Sequence, residues 1–249
     1  MSDELVSLRM VLVAVAPSQK DLWRQGAAQA SVPIEFEAGG AARAKAMVAH
    51  GGVDICVLDA ALDEADKASV IKTARAKVPA PLVFVSAPHG SPRLANIDGT
   101  LAMPANADDA RKQVETCIRV KMPTRVLIVD DSDTMRSIVR KILAASRFDL
   151  DIHEAEDGSA ALDQLRSGKF GVVFLDFGMP GLNGTDILSG IKREHPNMAI
   201  VMMTTALDNA GPDSPRLSGA LAFLRKPFFP ADVDAVLERH FGLHETGAP

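Results

Sequence analysis

Short, uniformly apolar runs alternate with helix-patterned segments along this chain, and the whole alternation occurs twice. The first half offers Val11–Val15, Val53–Leu58, Leu82–Val85 and Thr100–Met103. The second offers Val126–Val129, Val172–Leu175, Ala199–Met203 and Leu221–Leu224. Weaker extended segments, Ile34–Phe36 and Asp151–His153, fall between the first two members of each set. A strand apolar on both faces must be covered on both, and strands separated by helices are joined by crossovers rather than hairpins. The pattern predicts two α/β domains, each a doubly wound, five-stranded parallel sheet. The intervening segments carry the helical period: Met135, Ile138, Val139, Ile142 and Leu143 share one face, with Ser132 or Asp133 available as a cap. A second helix around Ala160–Leu165 ends near Gly168. A third, Ile187–Ile191, closes at His195-Pro196, and Val233, Val236 and Leu237 form the last. The predicted domains span residues 8–120 and 124–241. Their junction, Lys121–Thr124, is short and contains Pro123, which implies docking of the two domains more than free tethering.

Charges sit where buried strands end. Asp130 and Asp131 follow Val126–Val129, Asp176 closes Val172–Leu175, and Lys226 follows Leu221–Arg225. Adjacent acids at the exit of a buried strand repel and lose hydration, so they need a compensating cation. Lys226 is one, and a bound divalent metal with its preference for carboxylate oxygen is another. In doubly wound sheets ligands bind beyond the carboxyl ends of the strands, where these residues lie.

These segments resemble a known family. Val126-Leu-Ile-Val-Asp-Asp-Ser-Asp-Thr-Met-Arg is similar to the opening of response-regulator receiver domains, especially the chemotaxis type. Leu175-Asp-Phe-Gly-Met-Pro-Gly-Leu-Asn-Gly184 resembles the family's phosphoacceptor loop, and Met203-Thr-Thr-Ala206 and Arg225-Lys-Pro-Phe228 its two remaining signatures. The resemblance implies a flavodoxin-like receiver fold, Mg²⁺ as cofactor, and phosphoryl transfer onto Asp176 from a histidine kinase or phosphotransfer protein. Asp131 would ligate Mg²⁺ directly and Asp130 through water, joined by Asp176 and the backbone carbonyl of Gly178. Lys226 and Thr205 would hold phosphoryl oxygens, Phe223 occupies the place of the switching aromatic, and Lys226-Pro227 is expected cis. Gly181 and Gly184 read as turn residues.

The two halves can be laid over one another. Val15-Ala16 then stands where Asp130-Asp131 stand, Ser86-Ala87 falls on Thr205-Ala206, and Met103 on Lys226. Asp59 matches Asp176 but lacks metal ligands and cation, so the first copy reads as a degenerate receiver with an interaction role. Both copies also carry prolines where the family has its fourth helix, Pro88 and Pro92 in one and Pro212 and Pro215 in the other. A proline in a helix interior costs about 3 kcal/mol. That helix is expected to be short or disordered in both, which weakens the case for ordinary receiver dimerisation.

Composition narrows the function classes. Residues 1–123 hold 14 basic and 14 acidic side chains, residues 124–249 hold 13 and 18, and no Lys/Arg run forms a nucleic-acid-binding face. Cys56 and Cys117 lie in apolar stretches without CxxC or zinc spacing. Asp3 and Glu4 stand where a signal peptide needs positive charge, and Met10–Ala16 is too short to cross a bilayer. A cytoplasmic phosphoprotein is expected, with no membrane contact. The leading function is a stand-alone response regulator of a two-component phosphorelay, not a turnover enzyme. No output domain is expected after Phe241, so output would pass by protein contact or a phosphate sink, with domain docking or a homodimer open. The alternatives are a dehalogenase-type aspartyl-phosphate phosphatase acting through Asp131-Ser-Asp133, or a pure interaction scaffold.

Overall fold

In the computed structural model residues 7–92, 94–179, 184–205 and 219–243 are described. The chain divides into two compact units, Met1–Lys121 with Phe241–Pro249, and Met122–His240. The first contains β1 (Leu8–Val13), α1 (Pro17–Ala28), β2 (Ile34–Gly39), α2 (Ala41–His50), β3 (Ile55–Asp59), α3 (Glu64–Arg75), β4 (Leu82–Ala87), β5 (Gly99–Ala102) and α4 (Ala107–Lys121). The second contains β6 (Thr124–Val129), α5 (Asp133–Ala144), β7 (Leu150–Ala155), α6 (Gly158–Ser167), β8 (Val172–Asp176), α7 (Gly184–Glu194), β9 (Ala199–Thr204), β10 (Ala222–Arg225) and α8 (Pro230–Phe241).

Each unit holds one five-stranded sheet, ordered β2-β1-β3-β4-β5 and β7-β6-β8-β9-β10, and every strand pair is parallel. The inner strands β3 and β8 are buried throughout, as strands covered on both faces must be. The edge strands β2 and β7 are half-exposed and mixed in sequence, which is why only their centres stood out. Alternation assigns side chains to faces. Val11, Val13, Cys56, Leu58, Val83 and Val85 form the core under α2 and α3, and Leu127, Val129, Val173, Leu175, Ile200 and Met202 form its counterpart under α6 and α7.

Local chemistry sets the helix ends. The Ser132 hydroxyl, not Asp133, caps α5 by accepting from the Met135 N–H at 3.3 Å. Asp63 and Asp157 do the same for α3 and α6. Within α5, Val139 and Leu143 are buried while Ile138 is exposed, so the buried stripe is narrower than the apolar pattern. No helix forms between β4 and β5 among the described residues. Arg75 stitches that connection to α3 instead, donating to the Asn96 carbonyl at 3.0 Å and to Asp98 at 2.7 Å. The corresponding stretch of the second unit, 206–218, and Gly181 lie outside the described residues.

The ladders correct the overlay of the two copies. Val13 pairs with Leu58 as Val129 pairs with Leu175, and Asp59 with Ser86 as Asp176 with Met203. The Ala14 N–H bonds the Gly39 carbonyl as the Asp130 N–H bonds that of Ala155. Ala14-Val15 therefore occupies the place of Asp130-Asp131, one residue earlier than the sequence overlay gives. Pro88, not Ser86, occupies that of Thr205. Met103 does match Lys226. The overlay slipped because apolar residues continue past the ends of the ladder, and the ladder fixes equivalence. Lys226-Pro227 is cis as expected, and Val78-Pro79 is cis as well. Among the described residues no helix is long and apolar enough to cross a membrane.

Candidate functional site

The carboxyl ends of β6, β8 and β10 bring four of the predicted residues together. Asp130, Asp131 and Asp176 each present a carboxylate oxygen within 4.8 Å of the others. Lys226 Nζ donates to Asp130 Oδ2 at 2.8 Å and to Asp176 Oδ1 at 2.7 Å, so one ammonium bridges two strand ends. Asp130 and Asp176 are buried, at 1% and 7% exposure, and Asp131 is exposed.

Backbone amides take the remaining oxygens. The Ser132 N–H donates to Asp130 Oδ1 at 3.0 Å, and the Gly178 N–H to Asp176 Oδ2 at 3.1 Å. Among the described residues Asp131 is held by no hydrogen bond or ion pair, leaving its lone pairs for an incoming cation. A Cβ at Gly184 would lie 2.7 Å from the Asp176 carbonyl oxygen and 2.9 Å from Phe177 Cα, so only glycine lets α7 begin this close to β8. Thr205 is the exposed residue after β9, and the neighbouring Thr204 carbonyl accepts from the Lys226 N–H at 2.7 Å. Phe223 lies within β10, paired in register with Met202 and half-buried against the core.

Electrostatics follow from burial. Desolvation pushes the Asp176 carboxyl above its ordinary value, and the nearby Asp130 charge adds to this. The bonds from Lys226 and Gly178 oppose it without cancelling it. For Lys226 burial alone would favour the neutral amine, but the two carboxylates outweigh it and hold the ammonium above its ordinary value. The donor set suits a hard cation, which prefers carboxylate oxygens at about 2.0–2.1 Å and keeps some of its water.

Sequence reasoning missed Arg136. Its guanidinium is buried in the turn beneath the acids, where Nη1 donates to the Asp130 carbonyl at 2.6 Å. It also bonds Asp133 and lies 3.4 Å from Glu154 Oε2. The available signal was an arginine on the first turn of α5, a position that ordinarily faces water. A cleft of about 200 Å³ opens beside Asp131, lined by Glu156, Asp157, Gly158 and Met179.

The comparisons agree with this geometry. The family model for the response regulator receiver domain matches residues 126–238. Chemotaxis protein CheY-3 of Vibrio cholerae serotype O1 is 34% identical over 119 residues, covering 47% of this chain and 91% of that protein. Chemotaxis protein CheY of Pseudomonas aeruginosa is 30% identical over 119 residues, covering 47% and 95%. A probable two-component system response regulator/GGDEF domain protein shares the fold across 94% of this chain and 98% of its own, at 18% identity and a TM-score of 0.53. The first unit repeats the receiver-like fold and keeps only Asp59 of the charged residues. With the matched segment running from β6 into α8 and enclosing all three aspartates and Lys226, the chain belongs to the response regulator receiver domain family.

Proposed function

We propose that this protein is a two-component response regulator in which Asp176 is the phosphoacceptor. The single observation that carries this is the Lys226 ammonium bridging Asp130 and Asp176, with Asp131 open beside them. An Asp176 carboxylate oxygen forms the new bond to phosphorus while the donor's P–N bond breaks, and the departing imidazole leaves with its proton balance set by the donor. Phosphoryl transfer asks for positioning and charge neutralisation more than covalent help. Lys226 supplies a fixed positive charge at the acceptor, and Thr205 a hydroxyl at the neighbouring strand end. The Gly178 N–H keeps the acceptor carboxylate oriented. Asp130, Asp131, Asp176 and the Gly178 carbonyl would hold Mg²⁺, which would neutralise charge on the phosphoryl oxygens. The donor is a histidine kinase or phosphotransfer protein, and the phosphorylated unit acts by contact with another protein or as a phosphate sink.

The test is intact-mass analysis after incubation with acetyl phosphate and Mg²⁺. The wild-type chain should gain one phosphoryl group, labile to hydroxylamine, and Asp176→Asn should gain none. Label that survives in Asp176→Asn and disappears in Asp131→Asn would instead support the aspartyl-phosphate phosphatase. Absence of any label or Mg²⁺-dependent change would leave only a scaffold.

A further inference from the structure

The first unit keeps one acid of the site and loses the rest, and the acid is left buried. Asp59, at the end of β3, is 5% exposed, comparable to the 7% of Asp176. Its Oδ1 accepts from the Ala61 N–H at 2.9 Å, and among the described residues no cation pairs with it. Ser86 is its register neighbour on β4, so both side chains leave the same face of the sheet. Ser86 is 3% exposed, and among the described residues its hydroxyl has no hydrogen-bond partner. Buried carboxylates are ordinarily paired, and an orphaned buried hydroxyl requires an explanation.

The rim has the opposite character. Val15 and Met103 stand at the positions whose counterparts, Asp131 and Lys226, surround Asp176. Both are large, apolar and solvent-facing, at 66% and 38% exposure. A buried carboxylate and a free hydroxyl behind an apolar rim match a long aliphatic stem ending in a cation. An ammonium offers three donors, enough for Asp59 and Ser86 together. A divalent metal fits poorly, since a single carboxylate gives it little to bind.

We propose that this end of the first unit binds a lysine side chain presented by another protein, its ammonium on Asp59 and Ser86 and its stem against Val15 and Met103. The incoming lysine then stands where Lys226 stands in the second unit, supplied from outside the chain. A protein lysine is favoured over a free amine because the rim offers apolar surface on both sides of the stem.

The test is NMR titration of the full chain with n-butylammonium, with neutral N-butylacetamide as comparator. Butylammonium should give saturable shifts at Asp59, Ser86 and the Met103 methyl, weakened roughly tenfold to a hundredfold in Asp59→Asn, and the comparator should not saturate. Absent shifts, equal binding by Asp59→Asn or equal binding of the comparator overturns the proposal. The peptide acetyl-Leu-Lys-Leu-amide should bind at least tenfold more tightly than butylammonium, and equal affinity would sink the protein partner. Met103→Lys gives a check that does not depend on Asp59→Asn folding. It should raise the urea midpoint read from Trp23, the only tryptophan and buried in this unit, and abolish the amine-induced shifts. A lowered midpoint, or amine binding that persists, counts against the site.

Discussion

Replacing Lys226 by Met puts in the second unit what the first carries at that place, Met103, and tests whether the ammonium holds the acidic pocket together. The two side chains are similar in length, so the change removes charge and hydrogen bonding with little change in packing. Lys226 is 11% exposed and its partners Asp130 and Asp176 are 2% and 10% exposed at the side chain, so solvent screening is slight. Removing one member of a buried pair costs about 3–5 kcal/mol, because the other charge stays buried. With a urea slope of about 1–3 kcal/mol/M, the midpoint of the second unit should fall by at least about 1 M. Far-UV circular dichroism is the assay. The chain has one tryptophan and no tyrosine, and Trp23 lies in the first unit, so its fluorescence supplies an internal control whose midpoint should hold. Two dependences belong to the argument. Asp176 already titrates above its ordinary value, so acidification places a proton where the cation was and the loss should shrink as pH falls. Magnesium at a hundred times its Kd should restore about 2.7 kcal/mol. A loss below about 1 kcal/mol in metal-free buffer, or one unchanged by pH, would refute the idea that Lys226 compensates buried charge.

Asp176→Asn should alter the pH dependence of stability. A carboxyl raised in the fold binds its proton more tightly there than in the unfolded chain, so its penalty is full above the folded value and gone below the unfolded one. The variant's advantage in thermal midpoint should therefore be largest near neutrality and vanish in acid, and an advantage that grows in acid would contradict this sign. Gly26→Ala would place a Cβ 2.6 Å from the Ala110 carbonyl carbon and 2.7 Å from the Arg111 nitrogen, both backbone of α4. It should cost about 1–3 kcal/mol, read from Trp23 fluorescence on urea unfolding. Burial pushes the Cys56 thiol up to about 12 and Cys117 higher still. Neither should react with a thiol-disulfide reagent at pH 8 until urea unfolds the protein, and rapid labelling of the native chain would show their core placement to be wrong.

Most of the fold was legible because its strands are nearly homopolymeric in character. Val172–Leu175 and Ile55–Leu58 are buried at every position, so no choice of face had to be made. Strand ends were harder. Val15 extends the apolar run of β1 but lies past its last ladder residue, because hydrogen bonding is a property of two strands and one strand's sequence records only half of it. Ile138 keeps the helical period and yet faces solvent, because the period gives an angle and the neighbouring layer decides how wide an angle is covered. The aspartates and Lys226 were readable since a charge ending an apolar run has few structural uses. Arg136 was not, since its value lies in one backbone carbonyl brought to it by the β6–α5 turn.

The two copies also separate what the fold needs from what the chemistry needs. The first unit keeps the strand order, the register and the parallel ladders with Ala14, Val15, Pro88 and Met103 at the places of Asp130, Asp131, Thr205 and Lys226. None of those charges is therefore required to form the sheet. Burying such a network is commonly neutral or unfavourable against apolar residues of similar volume. The proposed phosphoryl transfer would account for the acids and lysine of the second unit, and the first unit forms its sheet without them. Asp59 breaks that rule. It is a buried carboxylate that keeps the backbone amide two residues on, here Ala61, but has lost the lysine and the neighbouring acids its counterpart uses. The same reasoning that assigns chemistry to Asp176 assigns Asp59 a cation from outside. If Asp59→Ala leaves the urea midpoint of Trp23 unchanged or higher, while n-butylammonium no longer registers at Ser86, then Asp59 serves binding. A lower midpoint with undiminished amine uptake would make Asp59 a structural acid and end that line of reasoning.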